Sequence, residues 1–180
     1  MRYLSIFMFV LVLVPASVAA DNPLTPRPLD PIAADTFARA QAQSAVARSL
    51  VATLESSNVI VHIVSSRDLP PGIGGTTRFV VSRGGHRYVR ITIAATLSKS
   101  GRAAILGHEL QHACEVAASD ADDVESLIQL FEKEGHRIGG YFETPAAIEA
   151  ERLVRHELAA GTALRLRSEL QAEPVVKFDH

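Results

Sequence analysis

Apolar positions along this 180-residue chain recur with two different periods, and where the period changes the expected element changes with it. From Ile32 to Glu55 the sequence is alanine-rich, and Phe37, Ala40, Ala47, Leu50, Val51 and Leu54 fall at helical spacing, which predicts a first helix. Asn58 to Val64 is a run of Val and Ile interrupted by His62, apolar on both faces, and predicts a central strand covered on each side. His62 within it reads as a buried, satisfied histidine. Pro70, Pro71, Gly72, Gly74 and Gly75 place a loop across residues 65–76. Thr77–Ser82 and His86–Ala94 then flank Arg83-Gly84-Gly85, the pattern of a β-hairpin whose turn residues tolerate positive φ. In the second strand Val89, Ile91 and Ile93 alternate with Tyr88, Arg90 and Thr92, so one face is expected to be buried and the other wet.

Helical spacing returns after the hairpin. Ser98 or Ser100 can cap a helix running to about Ala118, in which Ile105, Leu106, Leu110, Ala113, Val116 and Ala117 spread round more than one stripe, as in a largely buried helix. Asp120 to Glu134 predicts a charged amphipathic helix over Val124, Leu127, Ile128 and Phe131, followed by a loop at Gly135, Gly139 and Gly140. Thr144-Pro145 opens a last long helix, with Thr as N-cap and Pro in the first turn; its apolar stripe is Ala146, Ala147, Ala150, Val154 and Leu158. No internal repeat is present. The expected class is α+β, with one domain over residues 32–172 and a tail at 173–180.

Composition alters this picture mainly at the N-terminus. Arg2, the apolar run Leu4 to Val14 and the small residues Val18-Ala19-Ala20 read as a secretory signal over residues 1–20, cleaved after Ala20. The run is too short for a membrane span, which takes about 20 residues, so a secreted or periplasmic protein without a stable membrane anchor is expected. Pro23, Pro26, Pro28 and Pro31 make residues 21–31 an extended leader. A net charge of −2 gives no sign of nucleic-acid binding. Cys114 is the single cysteine, which excludes an intramolecular disulfide; it reads as a small buried apolar residue.

The chemistry lies in His108-Glu109-Leu110-Gln111-His112. On a helix the two histidines stand one turn apart on one face, where both imidazoles can reach one metal ion. Glu109 projects to the side of that face, where a general base that deprotonates water belongs. Two histidines and a carboxylate inside a buried helix need partners, and a cation supplies them. A catalytic zinc requires a third protein ligand. The extended form HExxHxxGxxH is not available, because Glu115 occupies the Gly position and Ala118 the last His position. The third ligand is therefore remote. Glu143 extends the apolar line of the last helix backwards by one turn and ranks first, Glu149 second; Glu151, His136, Asp120, Asp122 and Asp123 stay open. Glu115 is either a partner that orients an imidazole or an exposed helix glutamate. His86, His156 and His180 read as surface residues, and Arg152, Arg155, Arg165 and Arg167 as a solvated helix face.

With these residues the chain resembles the zincin metallopeptidases in their gluzincin-like form: a hairpin, an HExxH helix and a glutamate-bearing helix. It is also similar to a group of exported bacterial proteins that pair a HELQHA segment, here His108 to Ala113, with a Phe-Glu-Thr helix start, here Phe142 to Thr144. The likeness covers roughly residues 86–160. It departs from the larger families in having neither an NExxSD helix nor an ExxxD pattern. The resemblance implies a zincin-like fold, zinc held by His108, His112 and Glu143, and Glu109 as base. The expected activity is zinc-dependent hydrolysis of a peptide or protein substrate, laid beside the strand of residues 86–94, with Tyr141 or His136 as a donor to the oxyanion. The alternative is an exported binding module that keeps the metal site without turnover.

Overall fold

The computed structural model describes residue 22 and residues 24–138 and 141–172, without the side chains of 134, 138 and 165–172. The expected signal segment, His180 and the tail from 173 lie outside the described residues, as do the side chains of Arg165 and Arg167.

The class is α+β, as expected. A four-stranded sheet has the order β1-β2-β4-β3, formed by β1 (Arg27–Pro28), β2 (Val59–Ser66), β3 (Gly75–Arg83) and β4 (His86–Ala94). β1 and β4 run parallel to β2, and β3 pairs antiparallel with β4. The hairpin turn has Gly84 and Gly85 at φ of 61° and 78°, the positive angles that the Arg83-Gly84-Gly85 string was read to require. The register shifts between Phe79 and Val81, a bulge that leaves Val80 outside the pairing.

Two expectations about the sheet need correction. β2 is internal, and Val59, Val61 and Ile63 on one face lie in the core, while the other face is covered less completely, with Ile60 buried and Val64 half-buried. On the other face His62 is half-buried, its ring tilted against Tyr88 with centroids 6.3 Å apart, and burial, Arg27 and Arg90 lower its pKa. The strand of residues 86–94 is likewise internal, between β2 and β3, so the edges are the two-residue β1 and the nine-residue β3 and no substrate can add to β4.

The single helix expected over Ile32–Glu55 is two: α1 (Pro31–Gln43) and α2 (Ala45–Glu55). Ser44 between them is extended, at φ −129° and ψ 123°, and its hydroxyl oxygen accepts from the Ala47 amide. The carboxylate of Glu157 accepts from both the Ser44 hydroxyl and the Val46 amide, so a tertiary contact overrides local helix propensity. The extended leader is itself part of the fold. Arg27–Pro28 pairs with β2, where an edge position suits a proline. Asp30 caps α1, accepting from the Ile32 and Ala33 amides, and takes the Ser65 amide and hydroxyl at 2.6 and 2.8 Å.

Burial alone would raise the pKa of Asp30, but these bonds from Ala33, Ser65 and Ile32 hold it below 3.8. Because the folded pKa is depressed, the stabilisation is complete above the unfolded value and is lost as pH falls through the folded one. Asp30→Ala is therefore expected to cost about 2 kcal/mol at pH 7. The gap from wild type should narrow below pH ~3.8. Denaturant titrations at the two pH values check this, and a gap independent of pH would show that the charge contributes nothing.

The remaining elements are α3 (Lys99–Ala118), α4 (Val124–Glu134), the short hairpin β5 (His136–Ile138) and β6 (Tyr141–Glu143), and α5 (Pro145–Ala172). The hairpin replaces the loop expected after Gly135. α3 is enclosed, with the sheet on one side, α1 and α2 beside it and α5 beyond. Ser98 is its cap, accepting from the Gly101 amide. At the other end the buried Arg87 of β4 donates to the carbonyls of Val116, Ala117, Ser119 and Ala121, satisfying groups that the helix itself cannot. His86 beside it is half-buried, contrary to expectation, whereas His156 is exposed.

Candidate metal centre

His108 and His112 lie in the middle of α3, 7% and 6% exposed, with their Nε2 atoms 3.1 Å apart. His112 Nδ1 donates to Glu115 Oε2 at 2.8 Å, which leaves the Nε2 lone pair facing His108. The other oxygen of Glu115 accepts from the Thr144 hydroxyl at 2.6 Å, and Thr144 Oγ1 in turn accepts from the Ala147 amide and caps α5. Glu115 is thus the orienting partner of the two alternatives read from sequence, and it ties His112 to the start of the last helix.

Glu143 ends β6, one residue before that cap, and places Oε2 3.0 Å from His108 Nε2. Ligand atoms of His108, His112 and Glu143 all lie within 4.8 Å of one another. The approach of α5 to α3 depends on Gly107, where an added Cβ would stand 2.6 Å from Val154 Cγ2. Ala147, Ala150, Val154 and Leu158 form the buried stripe of α5, whereas Ala146 is exposed.

The other candidate ligands are elsewhere. Glu149 is exposed and paired with Arg152. Asp120, Asp122 and His136 are exposed, and Asp123 caps α4. Glu151 comes nearest, with Oε2 3.5 Å from His108 Nδ1 and its other oxygen on Arg155. His108 Nδ1 is buried without a hydrogen bond in good geometry.

These residues fit a metal ion. Zinc held tetrahedrally at about 2.0–2.2 Å needs ligand atoms roughly 3.3 Å apart. Two edges of the cluster measure 3.0 and 3.1 Å. Two imidazoles and a carboxylate are also a common donor set for that ion. The electrostatics agree: burial pushes the His108 pKa down, but Glu143, Glu151 and the nearby Glu109 outweigh it and lift it to about 10. The pKa of Glu143 is lowered by its bond to His108. Carboxylates gathered on one buried imidazole call for a cation, and a metal would have to displace the proton.

Glu109 is buried beside this cluster. Thr77 of β3 donates its hydroxyl to Glu109 Oε2 at 2.7 Å. Burial raises the pKa of Glu109, and His112, His108 and Thr77 offset part of the rise. A Cβ on Gly75 would fall 2.6 Å from Glu109 Oε1 and 2.7 Å from Ile105 Cγ2, so the absence of a side chain there makes room for the carboxylate. A cavity of about 690 Å³ opens over the site, lined by Gly75 and Thr77 of β3, by α4 and by α5. Tyr141 lines it; His136 does not. Cys114, with its thiol pushed up to about 12 by burial, takes no part.

Thr77, Thr144 and Gly75 were not singled out from sequence as site residues. Glu151 had a readable signal, since it stands four residues after Ala147 and three before Val154 on the buried stripe. Replacing Glu115 by Ala is expected to weaken metal binding by roughly 10–100-fold, with Glu115→Gln between it and wild type. Competition with a chromophoric chelator measures this; unchanged affinity in both variants would mean that the contact to His112 orients nothing.

Compared with protein-family models, curated proteins and solved structures, the chain matches none, so its likeness to zincins rests on the motif residues alone.

Proposed function

We propose that this protein is an exported zinc-dependent metallopeptidase. The observation that carries the reading is the convergence of His108, His112 and Glu143 at one point of an open cavity, with the buried carboxylate of Glu109 alongside. His108, His112 and Glu143 would hold the zinc, which when bound supplies Lewis-acid activation of water and of the scissile carbonyl. Glu109 accepts the proton of the attacking water and passes it to the leaving amine nitrogen. Thr77 fixes one oxygen of that carboxylate and so its direction. Burial of Glu109 supports the role, because a carboxylate with a raised pKa is the better proton shuttle near neutral pH.

Thr77 and Gly75 belong to the free-edge strand, and an extended peptide adding to β3 would bring its carbonyl past Glu109. Tyr141, on the cavity wall, is the candidate donor to the oxyanion. Export is read from residues 1–20, and no helix among the described residues is long and apolar enough to cross a membrane.

The test is hydrolysis of a mixed library of quenched peptides by the purified protein. Cleavage should stop on chelation and return with one zinc per chain. Cleavage indifferent to chelator would overturn the mechanism, and bound zinc without cleavage would make the protein a binding module.

A further inference from the structure

Resting on that reading, we propose that the end of the cavity formed by α4 is a specificity pocket, directing hydrolysis to peptide bonds flanked by a bulky apolar side chain. On α4, Val124, Leu127, Ile128 and Phe131 repeat at the i, i+3, i+4, i+7 spacing of a stripe that ordinarily turns to a core. Here Leu127 and Phe131 are buried, but Val124 is 57% and Ile128 36% exposed, and all four face the cavity. Ile148 of α5, 48% exposed, lines the same space. Three of the large apolar side chains left exposed among the described residues therefore ring one opening, which marks a binding surface more than scattered surface residues do.

The wall is continuous with the metal centre. The ring of Phe131 meets that of His112 edge-on, with centroids 5.2 Å apart and planes at 84°, and stacks on Phe142 at 6.2 Å. All four residues that α4 contributes to the lining are apolar. The carboxylates of Glu109, Glu143 and Glu151 line the same cavity beside the metal centre, so an acidic side chain near the scissile bond meets repulsion. The volume of about 690 Å³ falls within the range of sites that enclose small ligands, and it has room for a side chain the size of Phe with flanking backbone. Water released from the exposed apolar rim favours a side chain that covers it.

The zinc-loaded full-length protein is titrated calorimetrically with N-blocked hydroxamates of Phe, Leu, Ala and Glu, and kcat/KM is measured on the matching peptides. Phe and Leu compounds are expected to bind at least about tenfold more tightly than Ala, with Glu weakest. Ile128→Glu replaces an exposed side chain and leaves the metal ligands untouched. With zinc content and circular dichroism unchanged, it should bring Phe and Ala to within about twofold of each other. Equal binding of Phe and Ala by wild type, a preference that survives Ile128→Glu, or no hydroxamate binding with zinc in place would each overturn the pocket. A Phe preference in binding with no peptide hydrolysed would uphold the pocket and overturn the peptidase reading.

Discussion

Glu109→Gln is expected to keep one zinc per chain and the native fold while losing hydrolysis by on the order of 10²–10⁴-fold. The substitution is nearly isosteric in a site with little spare room. Gly75 leaves space for a carboxylate-sized group, and the amide oxygen of Gln can still accept the bond from Thr77. What the amide cannot do is take a proton from water and release it to the leaving nitrogen. Because Glu109 is absent from the His108, His112 and Glu143 group, metal content should be unaffected. Elemental analysis beside kcat/KM separates the two properties. Wild-type turnover in this variant would remove Glu109 from the chemistry, and loss of zinc would show that it holds the ion.

Glu143→Ala should lose zinc outright, by more than the 10–100-fold expected when a supporting residue is removed. The carboxylate is 3.0 Å from His108 Nε2 and is the only member of the group that does not come from α3. Two histidines on one helix leave a site with two protein ligands, short of the three that a catalytic zinc takes. Glu149→Ala is the matched control, six residues away on an exposed face, and should leave zinc content and stability unchanged. Chelator competition on the two variants decides between them. Stoichiometric zinc in Glu143→Ala would transfer the ligand role to another carboxylate, with Glu151 next in distance.

The hairpin, the α3 cap and the two histidines were legible in the sequence because each depends on neighbours within a few positions. Gly84 and Gly85 supply positive φ locally, Ser98 caps the amide three residues on, and helical pitch brings His108 and His112 together. Glu143 was reached by extending the stripe of the last helix, although it lies at the end of a strand; the line held because Thr144 starts the helix immediately after it. What could not be read depends on partners distant in the chain. Glu157 on α5 breaks the first helical stretch at Ser44, more than a hundred residues earlier. Arg87 falls in phase with Val89, Ile91 and Ile93 on the buried face of its strand, and only the end of α3 packed against β4 gives a charged residue there carbonyls to bind. Pro28 pairs with β2 where a proline-rich segment suggests no pairing at all. The Val and Ile content of β2 marked it as internal, but strand order put β4 inside the sheet as well and made β3 the long edge strand, which a hairpin pattern by itself does not decide.

The source of the third ligand has a consequence for chain topology. His112 and Glu143 are separated by the whole of α4 and the turn into the small hairpin, so an ion held by both would staple that stretch into a closed loop. In the denatured ensemble such a staple removes conformations much as a covalent crosslink does, and its effect grows only slowly with the length enclosed. Metal binding and docking of the α4 segment would then be one equilibrium, and an ion at the centre would also hold in place the segment that walls the cavity.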